Sequence, residues 1–338
     1  MKARACLVRH RYYPGDIRME NQIQALLSAG FAVDVLVMRG EGEPARSRDG
    51  DLQVYRVPAI KRVRGSKLRY ALEYLTWQTT TLLWLAWHQL RKRYKVVHIQ
   101  TLPDFLVFAA LVPKLLGAKI LLDLRECTPE LYAVDYGVAM EGRFMKALVA
   151  TEQAAIRFAD HAITCTEQMR QAFVRRGADP GRVSVMLNVA DPDVFRDAVL
   201  PDPRAQPERI EVVTHGTIKA RYGHETLIRA MALVVEQKPN THLTIYGRGN
   251  LLPDLQALVA ELGIDDYVTF AGFVPDDALL AGLRRAHIGT VPLLRNADTD
   301  LIHTFKMYEY MALGIPVIAS RTDAVAGSFS PEEVAFFE

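Results

Sequence analysis

The sequence predicts an α/β protein built from two successive doubly wound domains, each with a mostly parallel sheet. Three observations carry this expectation. Short runs of β-branched and aliphatic residues alternate with helical patterns along the 338 residues. The alternation breaks once, at residues 191–208, "DPDVFRDAVLPDPRAQPE", where four prolines and many charges read as a linker. Beyond it the same alternation starts again. The expected boundaries are therefore a first domain over 1–190, a linker over 191–208 and a second domain over 209–338.

In chain order, the strand candidates of the first half are "RACLVR", "AVDVLVM", "LQVYRV", "VVHIQ", "KILLDL", "HAITC" and "VSVML". Between the first two lies "DIRMENQIQALLSAG". Asp16 is its N-cap, Ile17, Ile23, Leu26 and Leu27 form an apolar stripe, and Gly30 stops it. After the third strand comes the most apolar stretch, "LRYALEYLTWQTTTLLWLAWHQLRKRYK". Glu73, Gln78, His88 and Gln89 interrupt it, which argues against a transmembrane span. Leu68, Leu72, Leu75, Leu82, Leu83, Ala86 and Leu90 recur at helical spacing, and core packing would explain them. It does not explain Trp77, Trp84 and Trp87 lying between Lys61, Arg62, Arg64 and Lys67 on one side and Arg91, Lys92, Arg93 and Lys95 on the other. That arrangement suits a helix resting on anionic lipid, so peripheral attachment to the cytoplasmic face of the membrane is expected.

The second half offers the strands "IEVVTHG", "HLTIYGRG", "VTFAGFV", "HIGTVPL" and "PVIAS". The end of the chain, "SRTDAVAGSFSPEEVAFFE", reads as a loop and one more short strand with no helix to cover it. A parallel sheet is covered on both faces, so the natural fold is expected to continue with further helices.

Composition narrows the function. The sequence is 50% apolar and 24% charged with a net charge of +2, so no basic field points to nucleic acid. Cys6, Cys127 and Cys165 are scattered, without a CxxC or Cys/His cluster, which suits a reducing cytosol and offers no metal set. The start has charge but no long apolar segment, so no signal peptide is expected.

Several strand-to-loop signals could hold a ligand at the carboxyl ends of the second sheet, in a cleft between the two domains. "HGTIKARYGHETLIRAM" sets Gly216 directly after a strand, followed by Lys219, Arg221 and Gly223. Glycine permits close backbone approach and the cations suit phosphate oxygens, although a solvated loop would look the same. "YGRGN" adds Gly247 and Gly249. It is no GxGxxG fingerprint, because position 252 is Leu252. "HTFKMYEYMALGIPVIAS", residues 303–320, reads as a helix capped by Thr304, ended by Gly314 and followed by a strand. Its interior is apolar except for Lys306 and Glu309. A lysine in the first turn opposes the helix dipole, yet a lysine beside free N–H groups concentrates positive potential on an anion. Glu309, one turn on, could accept bonds from hydroxyls of the same ligand. The alternative is a weak surface salt bridge on the wet face of the helix.

The block "FKMYEYMALGIPVIAS" resembles the donor-site signature of the family-four retaining glycosyltransferases, whose fold is the two-domain GT-B type. "YYPGDIRMENQIQAL", "VVHIQTLPDFLVFAALVPKLLGAKILLDLRECTPELY", "VMLNVADPDVF", "HGTIKARYG" and "IYGRGN" follow the family's order. The resemblance implies that Glu309 is the second glutamate of an E-x7-E motif and binds the donor ribose. Arg221 and Lys306 would hold the diphosphate, with Gly216, Lys219, Gly247, Gly249 and Phe273 on the donor side. The first glutamate falls at Leu301, where Asp300 or Asp298 could substitute. Arg125-Glu126 stands where the family often has His-Asp. Gly15-Asp16 stands for its double glycine, which puts Gly15, Asp16, Arg18 and Glu126 on the acceptor side. The family's histidine lies near the transferred sugar, and Arg125 in its place is expected to take a different catalytic role, facing phosphate or acceptor.

The activity so implied is metal-independent transfer of a hexose with retention, from a UDP- or GDP-linked donor to a glycan or lipid-linked acceptor. The setting implied is bacterial cell-surface polysaccharide synthesis. No protein nucleophile is named, because in the family's front-face mechanism the leaving phosphate assists deprotonation of the acceptor. No separate cofactor is implied. The rivals are a GT-B sugar-nucleotide epimerase and an inactive GT-B subunit that binds a partner enzyme.

Overall fold

The computed structural model describes residues 2–58, 67–190, 195 and 208–338. Most of the linker over 191–208 lies outside the described residues, as do Lys61, Arg62, Arg64 and the side chain of Lys67. Two compact units form, Met1–Leu187 and Asn188–Glu338.

The first unit carries eight strands: β1 (Arg4–Arg9), β2 (Ala32–Met38), β3 (Arg46–Asp49), β4 (Leu52–Val57), β5 (Val96–Gln100), β6 (Lys119–Leu124), β7 (His161–Thr164) and β8 (Val183–Val185). Their order is β3-β4-β2-β1-β5-β6-β7-β8, parallel throughout except for β3. All seven residues of β2 are buried, as a strand covered on both faces requires. Its one charge, Asp34, is matched by the ammonium of Lys92 and the hydroxyl of Tyr94.

Strand β3 was not apparent in the sequence, because "RSRD" has no apolar side chain. It is an exposed antiparallel edge joined to β4 through Gly50 and Asp51, and its charges suit an edge that must not pair with other chains.

The helices of this unit are α1 (Ile17–Ser28), α2 (Lys67–Lys92), α3 (Leu111–Leu115), α4 (Thr128–Tyr136), α5 (Arg143–Phe158) and α6 (Glu167–Arg175). Asp16 caps α1 by accepting from the Met19 N–H, and Glu20 reaches back to the N–H groups of Gly15 and Asp16 at 2.7 and 3.1 Å. Gly30 ends the helix region with φ +83°. The buried face differs from the expected stripe. Ile17 is exposed, whereas Arg18, Met19, Gln22 and Ile23 are buried. The polar pair turns inward to meet Asp123 on β6.

Helix α2 overturns the core-packing explanation of its leucines. Leu72, Leu75, Leu83 and Leu90 are exposed, Leu90 at 66%. The buried face is Glu73, Tyr74, Trp77, Thr81, Leu85 and Gln89. Two of the four polar residues that interrupt the apolar pattern, Glu73 and Gln89, are turned inward, while Gln78 and His88 are half-buried. Glu73 lies 3.3 Å from the His10 imidazole, and Gln89 accepts the Tyr94 N–H at 3.0 Å. Trp87 is exposed, with the Arg91 guanidinium 3.1 Å from its ring centre. Among the described residues no helix is long and apolar enough to cross a membrane.

The second unit is a parallel sheet of β9 (Ile210–His215), β10 (Thr241–Tyr246), β11 (Val268–Gly272), β12 (Ile288–Val291), β13 (Val317–Ser320) and β14 (Ala335–Phe337), in the order β11-β10-β9-β12-β13-β14. Helices α7 (His224–Gln237), α8 (Leu252–Glu261), α9 (Asp276–Leu283), α10 (Phe305–Ala312) and α11 (Asp323–Ala326) accompany it. Two apolar clusters hold them to the sheet. One joins Ile228, Met231, Leu255 and Val259 to Leu243 and Ile245. The other joins Met307, Tyr310 and Val325 to Val213, Val291 and Val317. The strands thus run in the alternating pattern that the sequence predicts, with both doubly wound sheets present.

Candidate active site

In the second unit the carboxyl ends of β9 and β12 and the start of α10 bring the charged residues together. Thr304 occupies the N-cap of α10, but its side chain makes no capping bond and its hydroxyl is buried without a hydrogen-bond partner. Lys306 and Glu309 are each only 6% exposed, which excludes the surface salt bridge. Burial pulls the Lys306 ammonium down to about 8, against the opposing pull of Glu309. Its Nζ has a hydroxyl for company, Thr214 Oγ1 at 3.4 Å, and the ring of Tyr222 at 5.5 Å. Glu309 meets the His215 imidazole at 2.9 Å. His224 opens α7 fully buried, and burial together with the charge of Lys306 pushes its imidazole down to about 4, so it is neutral.

Arg221 lies beside this cluster. Its Nη1 donates to Asp298 Oδ2 at 2.7 Å, and its guanidinium is 5.2 Å from the Tyr222 ring. The loop that follows β12 is stitched to it, because the Leu294 N–H donates to the Arg221 carbonyl at 3.0 Å. Gly223 has φ +60°, and a Cβ there would sit 1.6 Å from the Pro292 carbonyl oxygen.

The other donor-side residues fall in different places. Gly216 has φ +113° with open space where a Cβ would be, while Cβ atoms at Gly247 and Gly249 would come within 1.8 Å of the carbonyl oxygens of Gly216 and Ile218. The close approach that requires these two glycines is therefore made by the neighbouring loop. Lys219 is exposed. Phe273 is 71% exposed, with the Arg248 guanidinium 4.7 Å above its ring. Asp300 does not join Arg221: it accepts from Arg295 Nε and from the Asp323 N–H, both at 3.1 Å.

The first unit has its own polar centre at the carboxyl ends of β1, β5 and β6. Arg125 Nη1 donates to both Asp16 oxygens at 2.9 and 3.1 Å, and Arg9 holds Asp16 at 2.8 Å and Gln100 Oε1 at 3.0 Å. Gly15 precedes this cluster with φ +112°, and Glu126 is half-buried. Arg18, expected on the acceptor side, is turned into the protein interior. It is 3% exposed and donates through two nitrogens to Asp123 at 2.9 and 3.0 Å. Burial pushes the Asp123 carboxyl up, but hydrogen bonding from His98 and the Arg18 guanidinium more than reverses this, so the pair stays ionised.

His215, Tyr222, His224, Arg9 and Gln100 escaped the sequence reading. Arg9 carried a signal, a cation closing the apolar run "RACLVR"; the two histidines carried none, since a lone histidine after a strand is common in ordinary cores.

Comparison with known proteins was informative at both levels. A sequence profile described as "Glycosyl transferase 4-like domain" matches residues 16–188, and one described as "Glycosyl transferases group 1" matches residues 209–334. Among curated proteins, the GDP-mannose-dependent alpha-(1-6)-phosphatidylinositol monomannoside mannosyltransferase of Mycolicibacterium smegmatis is 31% identical over 150 residues, 41% of this chain and 39% of that one. The amylovoran biosynthesis glycosyltransferase AmsK of Erwinia amylovora is 29% identical over 154 residues, covering 45% and 37%. Each match thus spans about two-fifths of the relative's length. Among solved structures, sucrose-phosphate synthase from Thermosynechococcus elongatus superposes with a TM-score of 0.73 at 21% identity, over 98% of this chain and 84% of that one. Anabaena HepE in complex with UDP gives 0.66 at 14%, over 98% and 83%.

Proposed function

The chain belongs to the group 1 glycosyl transferases, and from that premise we propose that it moves a sugar from a nucleotide-linked donor to a glycan or lipid-linked acceptor, with retention at the anomeric carbon. The observation that carries this is the burial of Lys306 with no carboxylate in contact among the described residues. An ammonium so poorly solvated lowers the energy of a diphosphate placed against it, and more so as charge develops on the leaving group. Arg221 adds a second cation, and the free N–H groups at the start of α10 add a third source of positive potential. Glu309, oriented by His215, accepts hydrogen bonds from ribose hydroxyls. Gly216, Lys219 and Phe273 complete the donor side, with Gly247 and Gly249 shaping its loops.

The chemistry needs no nucleophile from the protein. As the donor's glycosidic C–O bond breaks, the electron pair goes to the diphosphate oxygen. The acceptor hydroxyl forms the new C–O bond on the same face, and its proton passes to that oxygen. The donor is UDP- or GDP-linked: HepE was solved with UDP, and the mycobacterial relative is named for GDP-mannose. On this reading the first unit holds the acceptor around Gly15, Asp16, Arg125 and Glu126. Helix α2 rests its leucine face on anionic lipid at the cytoplasmic membrane surface, in polysaccharide or glycolipid synthesis.

The test is turnover of candidate UDP- and GDP-sugars by Lys306→Ala and Glu309→Ala. Both should fold and lose at least tenfold in rate, which corresponds to about 1.4 kcal/mol. Unchanged turnover in both would remove the donor site from this place. A product that is an isomerised sugar nucleotide, made without acceptor, would instead mark an epimerase.

A further inference from the structure

We propose that Asp298 is a positioning residue that fixes the guanidinium of Arg221 for diphosphate binding; the inference rests on the donor reading above. The sequence leaves three positions for the acidic residue of this loop, and the geometry separates them. Leu301 is apolar. Asp300 is taken up by Arg295 and by the Asp323 N–H. Asp298 is fully buried, and its Oδ2 meets Arg221 at 2.7 Å.

The loop around it is built to hold that contact. Asn296 Oδ1 accepts from the N–H groups of Asp298 and Thr299, both at 3.0 Å, and Thr299 Oγ1 donates to the Leu294 carbonyl at 2.6 Å. The Leu294 N–H in turn donates to Arg221. Main chain and side chain of Arg221 are thus both anchored to one loop. A guanidinium is planar, so fixing one nitrogen with a carboxylate sets the plane in which the remaining donors lie. That plane matters because of Tyr222. The Arg221 guanidinium and the Lys306 ammonium lie 5.2 and 5.5 Å from the same ring, so the two cations are held near one side chain. A diphosphate that reaches both would meet a fork of set direction from one and a point charge from the other. Asp298 acts through Arg221 and does not touch the sugar.

The test measures binding of UDP and of GDP to the full chain by calorimetry, beside thermal unfolding, for Asp298→Asn, Arg221→Ala, Arg221→Lys and the double variant Arg221→Ala/Asp298→Asn. For whichever nucleotide the wild type binds, Asp298→Asn should weaken binding at least tenfold. The double variant should bind no worse than Arg221→Ala, since the carboxylate matters only through the guanidinium. Arg221→Lys, which keeps a cation against Asp298, should not restore binding. Wild-type affinity in Asp298→Asn, a loss that adds in full to that of Arg221→Ala, or full affinity in Arg221→Lys would each overturn the inference. If Asp298→Asn does not fold, the Arg221→Lys measurement decides. A wild-type chain that binds neither nucleotide, with Lys306→Ala behaving likewise, overturns the donor reading itself.

Discussion

A buried ammonium whose hydrogen-bond partner among the described residues is a hydroxyl at 3.4 Å is poorly solvated and would gain from an anion placed beside it. Its acid–base behaviour makes this measurable. Lys306 titrates at about 8 in the folded chain against 10.5 for an ordinary lysine. Between those values the unfolded chain binds more protons, so stability without ligand rises as pH goes from about 8 towards 10.5. At neutral pH the buried charge costs on the order of 3 kcal/mol, and Lys306→Met should recover part of it and flatten the slope. Ligand has the opposite preference. A diphosphate favours the charged form, so nucleoside diphosphate affinity should fall as pH rises through about 8, and the fall should vanish in Lys306→Met. Affinity that stays flat to pH 10 would mean that Lys306 does not touch the ligand. This residue was legible in the sequence because its charge contradicted its surroundings. Asp298 was in view only as one of two acidic candidates. Choosing between them needed the fold, since Asp298 and Arg221 lie 77 positions apart in the chain.

Helix α2 shows what periodicity can and cannot say. Apolar residues at helical spacing located the helix, but not which face is buried. A stripe of leucine outside and Glu73, Thr81 and Gln89 inside reverses the usual reading. Glu73 faces His10, which is distant in sequence, and Gln89 holds the Tyr94 N–H just beyond the helix; no apolar periodicity records either contact. The two faces should respond differently to substitution. Trp77, 3% exposed, should cost about 3–5 kcal/mol when replaced by alanine. Leu83→Ser and Leu90→Ser should leave stability within about 0.5 kcal/mol, because both side chains are already in water. In liposome flotation the same two variants should lose binding that, in the wild type, grows with anionic lipid and fades with salt. Wild-type chain that ignores anionic vesicles would leave the leucine face without lipid as its cover.

At the scale of the molecule, the two units have separate apolar cores and separate polar centres. Alternating strands and helices, with one proline-rich break, were enough to read the two sheets from the sequence, because parallel strands covered on both faces are long apolar runs. The polar centre of the first unit was only half visible. Asp16 and Arg125 stood out as loop residues, but Arg9 and Gln100 sit at strand ends and become partners only once β1, β5 and β6 are side by side. If the donor binds the second unit alone, scanning calorimetry should resolve two transitions, with UDP or GDP raising one of them. The shift should disappear in Lys306→Ala. A single transition that moves as a whole would show that the units unfold together and that ligand stabilises both.

The contacts at Gly223, Gly247 and Gly249 have a consequence for how such a protein can diversify. There the main chains of three loops, those after the neighbouring strands β10, β9 and β12, touch with no room for a single methyl group. Lengthening one of these loops by a residue would strain those contacts and, on the donor reading, disturb the setting of Arg221. The arrangement thus opposes one common way of changing what an enzyme accepts, the growth of a loop. On the donor reading, new sugar preferences would then arise by exchanging side chains on a frame of fixed length, at exposed positions such as Thr217 and Lys219.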